Sequence, residues 1–88
     1  MQNYKLELSD HALKVLEKIS RREPELCKRL SHALDELETN PQQGKPLKGE
    51  LKGKYSYRVG PYRIIYRNYQ TKLLVIDIDT GHRREIYR

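Results

Sequence analysis

The segment that most constrains the fold lies around the dipeptide Gly60-Pro61. On either side of it, aromatic or aliphatic residues alternate with polar, mostly basic ones over residues 55–59 and 62–66. This period of two is typical of β-strands with one buried face. A two-residue loop that begins with glycine fits a type II′ turn, because the first central residue of that turn has a positive φ. We therefore predict a tight antiparallel hairpin with a fixed register.

That register sorts the side chains onto two faces. The apolar and aromatic face is predicted to carry Tyr55, Tyr57, Val59, Tyr62, Ile64 and Tyr66. The opposite face is predicted to be cationic, with Lys54 opposite Arg67 and Arg58 opposite Arg63. Like charges directly opposite each other destabilise a strand pair, and an anion between them removes the repulsion. We interpret Arg58 and Arg63 as a phosphate clamp.

Neutralisation by the next strand is the alternative interpretation of the arginine pair. Asp77 and Asp79 alternate there with residues predicted to be buried, namely Leu74, Ile76 and Ile78. A carboxylate beside the two guanidiniums would remove the repulsion without any ligand.

The first half of the chain predicts a strand and a helical hairpin. Residues 3–8 alternate like a strand with one buried face. Ser9 and Asp10 are good N-caps for a first helix, whose apolar positions recur at helical spacing: Ala12, Leu13, Val15, Leu16 and Ile19. A second helix is predicted to begin at Pro24 and to end at Asn40-Pro41. Its apolar face consists of Leu26, Leu30, Ala33, Leu34 and Leu37.

The remaining segments complete the predicted fold. Residues 42–54, with three glycines, one proline and four lysines, indicate a surface loop. Further strands are predicted over residues 73–78 and, after a Thr80-Gly81 turn, over residues 85–87. We predict one domain, residues 1–88, of the α+β class: an N-terminal strand, a helix hairpin and a curved antiparallel sheet of three to four strands, in the order β-α-α-β-β-β.

The charge distribution favours a nucleic-acid partner. Residues 1–44 carry 7 Lys/Arg and 8 Asp/Glu, a net charge of −1, whereas residues 45–88 carry 11 and 4, a net charge of +7. Six of the seven tyrosines also lie in the second half, and basic residues interleaved with aromatic rings suit phosphates and stacked bases. We assign phosphate binding to basic residues of this half: Lys45, Lys48, Lys52, Lys54, Arg67 and Arg84.

Several other classes of protein fit the sequence poorly. Cys27, the only cysteine, excludes an intrachain disulfide and is predicted to be a small core residue. No metal-binding or nucleotide-binding motif occurs, so we expect neither a metal nor a cofactor. No apolar run has the length of a membrane span or a signal peptide, so we expect a cytoplasmic protein without membrane contact.

The C-terminal segment concentrates groups that suit RNA cleavage. His82, Arg83 and Tyr87 bring an imidazole, a guanidinium and a phenol to the end of the sheet. Metal-independent cleavage requires the 2′-hydroxyl to attack its own phosphate, with cations around the developing charge and a proton donor for the leaving oxygen. We expect Arg58, Arg63 and Arg83 to supply charge, His82 to carry a proton and Tyr87 to stack on a base.

Three motifs, in this order and spacing, resemble the RelE toxins of the RelE/ParE superfamily. They are Pro46-Leu47-Lys48-Gly49 followed by Gly53-Lys54-Tyr55-Ser56-Tyr57-Arg58-Val59-Gly60, then Tyr62-Arg63-Ile64-Ile65-Tyr66, and finally His82-Arg83-Arg84-Glu85-Ile86-Tyr87. The resemblance implies a toxin that cuts messenger RNA in the ribosomal A site. It also implies neutralisation by an acidic antitoxin, RelB-like or of another class, through which the toxin would contact operator DNA only indirectly.

The resemblance also implies individual roles. Arg58 matches a basic residue of the second strand, Arg63 a phosphate-binding arginine, Arg83 an arginine near the terminus, and Tyr87 a catalytic or stacking tyrosine. Ser56 departs from the pattern, because a well-studied type of RelE has lysine there. Lys52 or Lys54 is positioned to substitute for it, so the identity of the general base stays open.

Two further hypotheses remain. A ParE-like toxin that binds DNA gyrase shares the fold but does not need the cluster of Arg63, Arg83 and Tyr87. A regulatory module that binds nucleic acid or an antitoxin without catalysis is favoured by Ser56. Cleavage on ribosomes distinguishes these hypotheses from the nuclease.

Overall fold

The computed structural model describes residues 5–69 and 71–80. Within these residues the chain forms, in order, β1 (Lys5–Leu8), α1 (Asp10–Arg22), α2 (Pro24–Thr39), β2 (Lys45–Pro46), β3 (Lys54–Val59), β4 (Tyr62–Tyr69) and β5 (Lys72–Thr80). One-turn 3-10 helices at Pro41–Gln43 and Gly49–Leu51 flank β2. In this part of the chain, no helix is both long and apolar enough to cross a membrane.

All five strands belong to one mixed sheet in the order β1-β5-β4-β3-β2. The α+β class is as predicted, but two features of the sheet were not. β1 pairs with β5 in parallel, which the long connection through both helices permits. The predicted surface loop contains β2, a two-residue edge strand that pairs antiparallel with β3 and includes Pro46, a residue that edge positions tolerate. The strand predicted over residues 85–87 lies outside the described residues.

Local sequence signals mark the starts of both helices, as predicted. The Ser9 hydroxyl accepts a hydrogen bond from the Ala12 N–H at 3.0 Å and donates one to the Ile76 carbonyl at 2.7 Å, which ties the start of α1 to β5. Pro24 occupies the first turn of α2. One predicted core position is wrong: Leu13 is 43% exposed, because the buried stripe of α1 is centred on Ala12 and Ile19.

The helices pack against one face of the sheet and enclose the core. Its fully buried members include Leu30, Leu37, Ile64, Tyr66, Leu73, Val75 and Ile78. Leu26 and Cys27 of α2 are only partly buried. Every apolar side chain predicted for the inner face of the β3–β4 hairpin packs in or against this core.

The predicted register of the hairpin is confirmed. Val59 pairs with Tyr62, Arg58 with Arg63, and Lys54 with Arg67. Gly60 has a φ of 58°, while every non-glycine residue that the structure describes has a negative φ, as a type II′ turn requires of Pro61.

A bulge in β5 makes part of the predicted alternation wrong. Val75 lies opposite Tyr66 and Asp77 lies opposite the adjacent Ile65, so Ile76 is an extra residue in β5. The bulge shifts the alternation by one residue. Leu73 and Val75 are therefore fully buried in place of Leu74 and Ile76, whereas Ile78 is buried as predicted.

Candidate functional site

An open groove of about 420 Å³ lies along the strands β2, β3 and β4. Its lining residues are Gln43, Lys45, Leu47, Ser56, Tyr57, Arg58 and Arg63. Ser56, Arg58 and Arg63 alternate with residues of the core, so they project from the sheet face turned away from the helices. The groove thus gathers three of the predicted cations, those of Lys45, Arg58 and Arg63, on adjacent strands.

Strand pairing fixes the positions of these groups. Lys45 lies directly opposite Ser56 in the β2–β3 pair, and Arg58 lies directly opposite Arg63 in the β3–β4 pair. The groove therefore contains a lysine beside Ser56, the residue that departs from the RelE resemblance. Lys52 and Lys54, which the sequence offers as alternatives, do not line the groove.

The short strand β2 is held in place by a buried tyrosine of β4. The Tyr66 hydroxyl donates a hydrogen bond to the Pro41 carbonyl at 2.5 Å and accepts one from the Gly44 N–H at 3.0 Å. Its ring stacks on Tyr55, with 5.5 Å between centroids. Burial raises the pKa of Tyr66 to about 12, since the charged phenolate would lose its hydration. Tyr66 therefore anchors the loop from which Lys45 enters the groove.

The two arginines of the predicted clamp differ in their surroundings. Arg58 is exposed, has no ion pair with any residue of the described part of the chain, and donates a hydrogen bond to the Gly60 carbonyl at 3.4 Å. Arg63 is half-buried and lies opposite Asp79, which is 3% exposed. The predicted neutralisation by a carboxylate thus has a structural basis at Arg63, whereas the guanidinium of Arg58 is available to an anion.

Asp77 has a different neighbour, and the groove face is not uniformly cationic. The Asp77 carboxylate lies 2.8 Å from His11 Nε2 at the start of α1. Ile65, which lies on the same face as Arg63, is 2% exposed.

The other predicted site residues do not line the groove. Lys48 and Lys52 are exposed at the two ends of the second 3-10 helix, and Lys54 lies at the start of β3. The guanidinium of Arg67 lies 5.2 Å from the centre of the Tyr69 ring. His82, Arg83, Arg84 and Tyr87 lie outside the described residues. Among residues 5–69 and 71–80, no group of three or more His, Cys, Asp or Glu side chains is arranged to hold a metal ion.

Three lining residues were not predicted as part of a site. Gln43 and Leu47 lie in a segment without hydrophobic periodicity, so no sequence signal marks them. Tyr57 packs against the core, as its place on the apolar face of the hairpin predicts, and it also lines the groove.

Comparison with known proteins shows similarity in sequence. A family model described as "ParE toxin of type II toxin-antitoxin system, parDE" matches residues 6–87. Toxin RelG from Mycobacterium tuberculosis is 40% identical over 57 residues, which are 64% of this chain and 66% of that protein. This alignment therefore spans slightly less than two thirds of the relative.

The fold is similar to solved toxin structures. The toxin-antitoxin complex RelBE2 from Mycobacterium tuberculosis contains a chain with a TM-score of 0.78 and 29% identity; the match covers 89% of this chain and 98% of that one. The YoeB/ParE toxin from Agrobacterium tumefaciens has the same TM-score at 23% identity, and this match covers 88% of this chain and 98% of that one. It shows similarity in fold alone.

Proposed function

Because the chain belongs to the ParE toxin family, within the RelE/ParE superfamily of type II toxin-antitoxin systems, we propose that it is a ribosome-dependent endoribonuclease. The observation that carries the proposal is the groove in which Lys45, Arg58 and Arg63 meet on three adjacent strands. Two of these residues occupy positions to which the RelE resemblance assigns RNA binding and cleavage. Such a cationic groove suits a phosphodiester that gains negative charge during the reaction.

We assign different tasks to the cations. Arg58 is exposed and without an ion pair in the described part of the chain, so it binds a phosphate oxygen at little cost in desolvation. Arg63, half-buried opposite Asp79, is a more restricted donor for the same phosphate. Arginine stays protonated in proteins and is a poor base. Lys45, opposite Ser56, adds a third positive charge close to the phosphate, and the identity of the general base stays open.

Residues outside the described ranges complete the proposed site. From the sequence, His82 donates a proton to the leaving 5′-oxygen, Arg83 adds charge to the phosphate and Tyr87 stacks on a base. The remaining basic residues, Lys48, Lys52, Lys54, Arg67 and Arg84, bind flanking phosphates. No step requires a metal ion, because the 2′-hydroxyl is the nucleophile and the charge is stabilised by side chains.

The proposed activity has a cellular setting. A single-domain toxin of this kind would act in the cytoplasm on ribosome-bound messenger RNA. An acidic antitoxin would bind it, as an antitoxin does in the RelBE2 complex. Complementary charge favours such a partner, since the second half of the chain carries the net positive charge.

Primer extension on a messenger RNA tests the proposal in a reconstituted translation reaction. We expect discrete cuts with the wild-type chain on ribosomes and little cleavage of free RNA. Arg58→Ala, Arg63→Ala, Arg83→Ala and Tyr87→Phe should each reduce the cuts strongly. Lys18→Ala, which removes an exposed cation of α1 outside the groove lining, is the matched control. Intact message in every reaction would contradict the proposal.

A second candidate function is inhibition of DNA gyrase. The matching family model, which is described for ParE toxins, favours it. A gyrase inhibitor does not need the cationic groove, so Arg63→Ala should leave it active. A supercoiling assay with purified gyrase distinguishes the two functions: inhibition by both the wild-type chain and Arg63→Ala, together with intact message on ribosomes, would establish the second candidate.

A further inference from the structure

A second cavity lies on the other side of β3, between that strand and α2. It has a volume of about 320 Å³, and its lining residues are Arg29, His32, Ala33, Glu36, Tyr57, Arg58, Val59 and Gly60. We call it the α2 cleft. Tyr57 and Arg58 line both the α2 cleft and the groove described above. The two cavities therefore meet at one short stretch of β3.

The stretch of β3 that separates them is an open strand edge. β2 pairs only with Tyr55 and Ser56, so the edge of β3 from Tyr57 to Val59 has no strand partner in the described part of the chain. A polymer lying in the groove can thus pass over this edge without displacing any described strand. At Gly60 the chain passes close to α2, since a Cβ there would lie 3.3 Å from Leu26 Cδ1 and 3.5 Å from Arg29 Nη1.

The charge of the α2 cleft suits an anion. Arg29 lines it from α2, whereas Arg58 reaches it at the open edge of β3, where its Nε donates a hydrogen bond to the carbonyl of Gly60. Neither arginine has an ion pair within the described residues. His32, exposed one helical turn after Arg29, adds a third nitrogen donor. Glu36 is the single carboxylate of the lining. Two permanent positive charges against one negative charge favour a phosphate, which arginine binds through two parallel hydrogen bonds.

We propose that the α2 cleft is a second RNA-phosphate site, and that RNA held in the groove continues over the open edge of β3 into it. The inference rests on the proposed function, because it assumes that the groove binds RNA. Arg29 is its principal ligand and His32 an additional one, whereas Arg58 contacts the phosphates on both sides of the edge. Arg29 and His32 bind RNA away from the cleaved bond, so they contribute to affinity and not to the chemical step.

Salt-dependent binding of a non-cleavable RNA tests this inference. The probe is a fluorescent 12-nucleotide single strand with 2′-O-methyl groups, whose anisotropy is measured with the full-length chain between 50 and 300 mM salt. Each lost contact with a phosphate reduces the slope of log Kd against log salt by about 0.7 for single strands. We expect this reduction for Arg29→Ala, together with an affinity about 5- to 10-fold weaker at low salt, and partial recovery of both by Arg29→Lys.

Matched variants make the outcomes distinguishable. Arg21→Ala, another exposed helical arginine that does not line the α2 cleft, should leave the slope unchanged. If Arg58→Ala lowers the slope of log Kd against log salt and Arg29→Ala does not, the second site is refuted, while RNA binding by the groove is supported. If the wild-type chain binds no RNA, or if Arg58→Ala leaves binding unchanged, the second site and the role of Arg58 in binding RNA are both refuted, whereas cleavage on ribosomes tests the proposed function separately. Weaker binding of a polyglutamate peptide by Arg29→Ala, with RNA binding unchanged, would assign the α2 cleft to an acidic protein partner and overturn the inference.

Discussion

Removal of one hydroxyl group, in Tyr66→Phe, should cost a large share of the folding free energy. The hydroxyl satisfies the Pro41 carbonyl and the Gly44 N–H, and both residues are buried. Each buried polar group left without a partner costs about 1–3 kcal/mol, so for these two groups we expect a loss of about 2–6 kcal/mol. A chain of 88 residues has a total stability of about 4–13 kcal/mol. The remaining phenyl ring keeps the core filled, so no cavity adds to this loss.

Urea unfolding followed by circular dichroism measures this effect. The midpoint should fall while the slope m stays constant, because both states keep their compactness. Tyr69→Phe is the matched control: Tyr69 lies in the same strand but is 42% exposed, and its free energy of unfolding should stay within about 0.5 kcal/mol of wild type. A loss for Tyr66→Phe no larger than that of the control would show that water or a shifted loop replaces the hydroxyl.

Three further predictions concern the same loop and the groove. The difference in free energy of unfolding between wild type and Tyr66→Phe should be constant below pH 10 and become smaller between pH 10 and 12. The pKa of Tyr66 is about 12 in the folded state and 10 in the unfolded state, so the unfolded wild type loses its phenol proton first and is stabilised by alkali. Urea titrations at each pH measure this difference. Gly44→Ala should lose about 1–3 kcal/mol, because its Cβ would collide with the Tyr66 hydroxyl oxygen, and less in the Tyr66→Phe background; a double-mutant cycle tests this. Arg58→Ala should change the free energy of unfolding by less than about 0.5 kcal/mol, since the side chain is exposed. The same variant should inhibit growth much less than wild type when its expression is induced. A loss of stability large enough to explain the loss of toxicity would refute the phosphate clamp.

Features fixed by neighbours in the sequence could be predicted. The register of the β3–β4 hairpin follows from the turn at Gly60-Pro61, whose geometry involves only adjacent residues. The start of α1 likewise follows from Ser9, whose hydroxyl caps a residue three positions later. Local determinants of this kind are enough to place Arg58 opposite Arg63 from the amino-acid sequence alone.

Features fixed by distant parts of the chain could not be predicted. The parallel pairing of β1 with β5 joins residues more than sixty positions apart. No residue type in the sequence marks the bulge at Ile76, yet the bulge makes the predicted burial of Leu74 and Ile76 wrong. β2 is too short for an alternating pattern, so no periodicity indicates that Lys45 lies beside Ser56.

A residue of the core holds the loop that leads into the groove, and this explains how so small a domain can position an exposed cation. Lys45 lies on a two-residue edge strand, which by itself has little stability. The loop before it is fixed by the hydroxyl of Tyr66, whose ring is fully buried and stacked on Tyr55. The position of the lysine therefore depends on the packing of the core. If Lys45 acts on RNA, Tyr66→Phe should reduce cleavage even at temperatures where the variant is fully folded, whereas Tyr69→Phe should not.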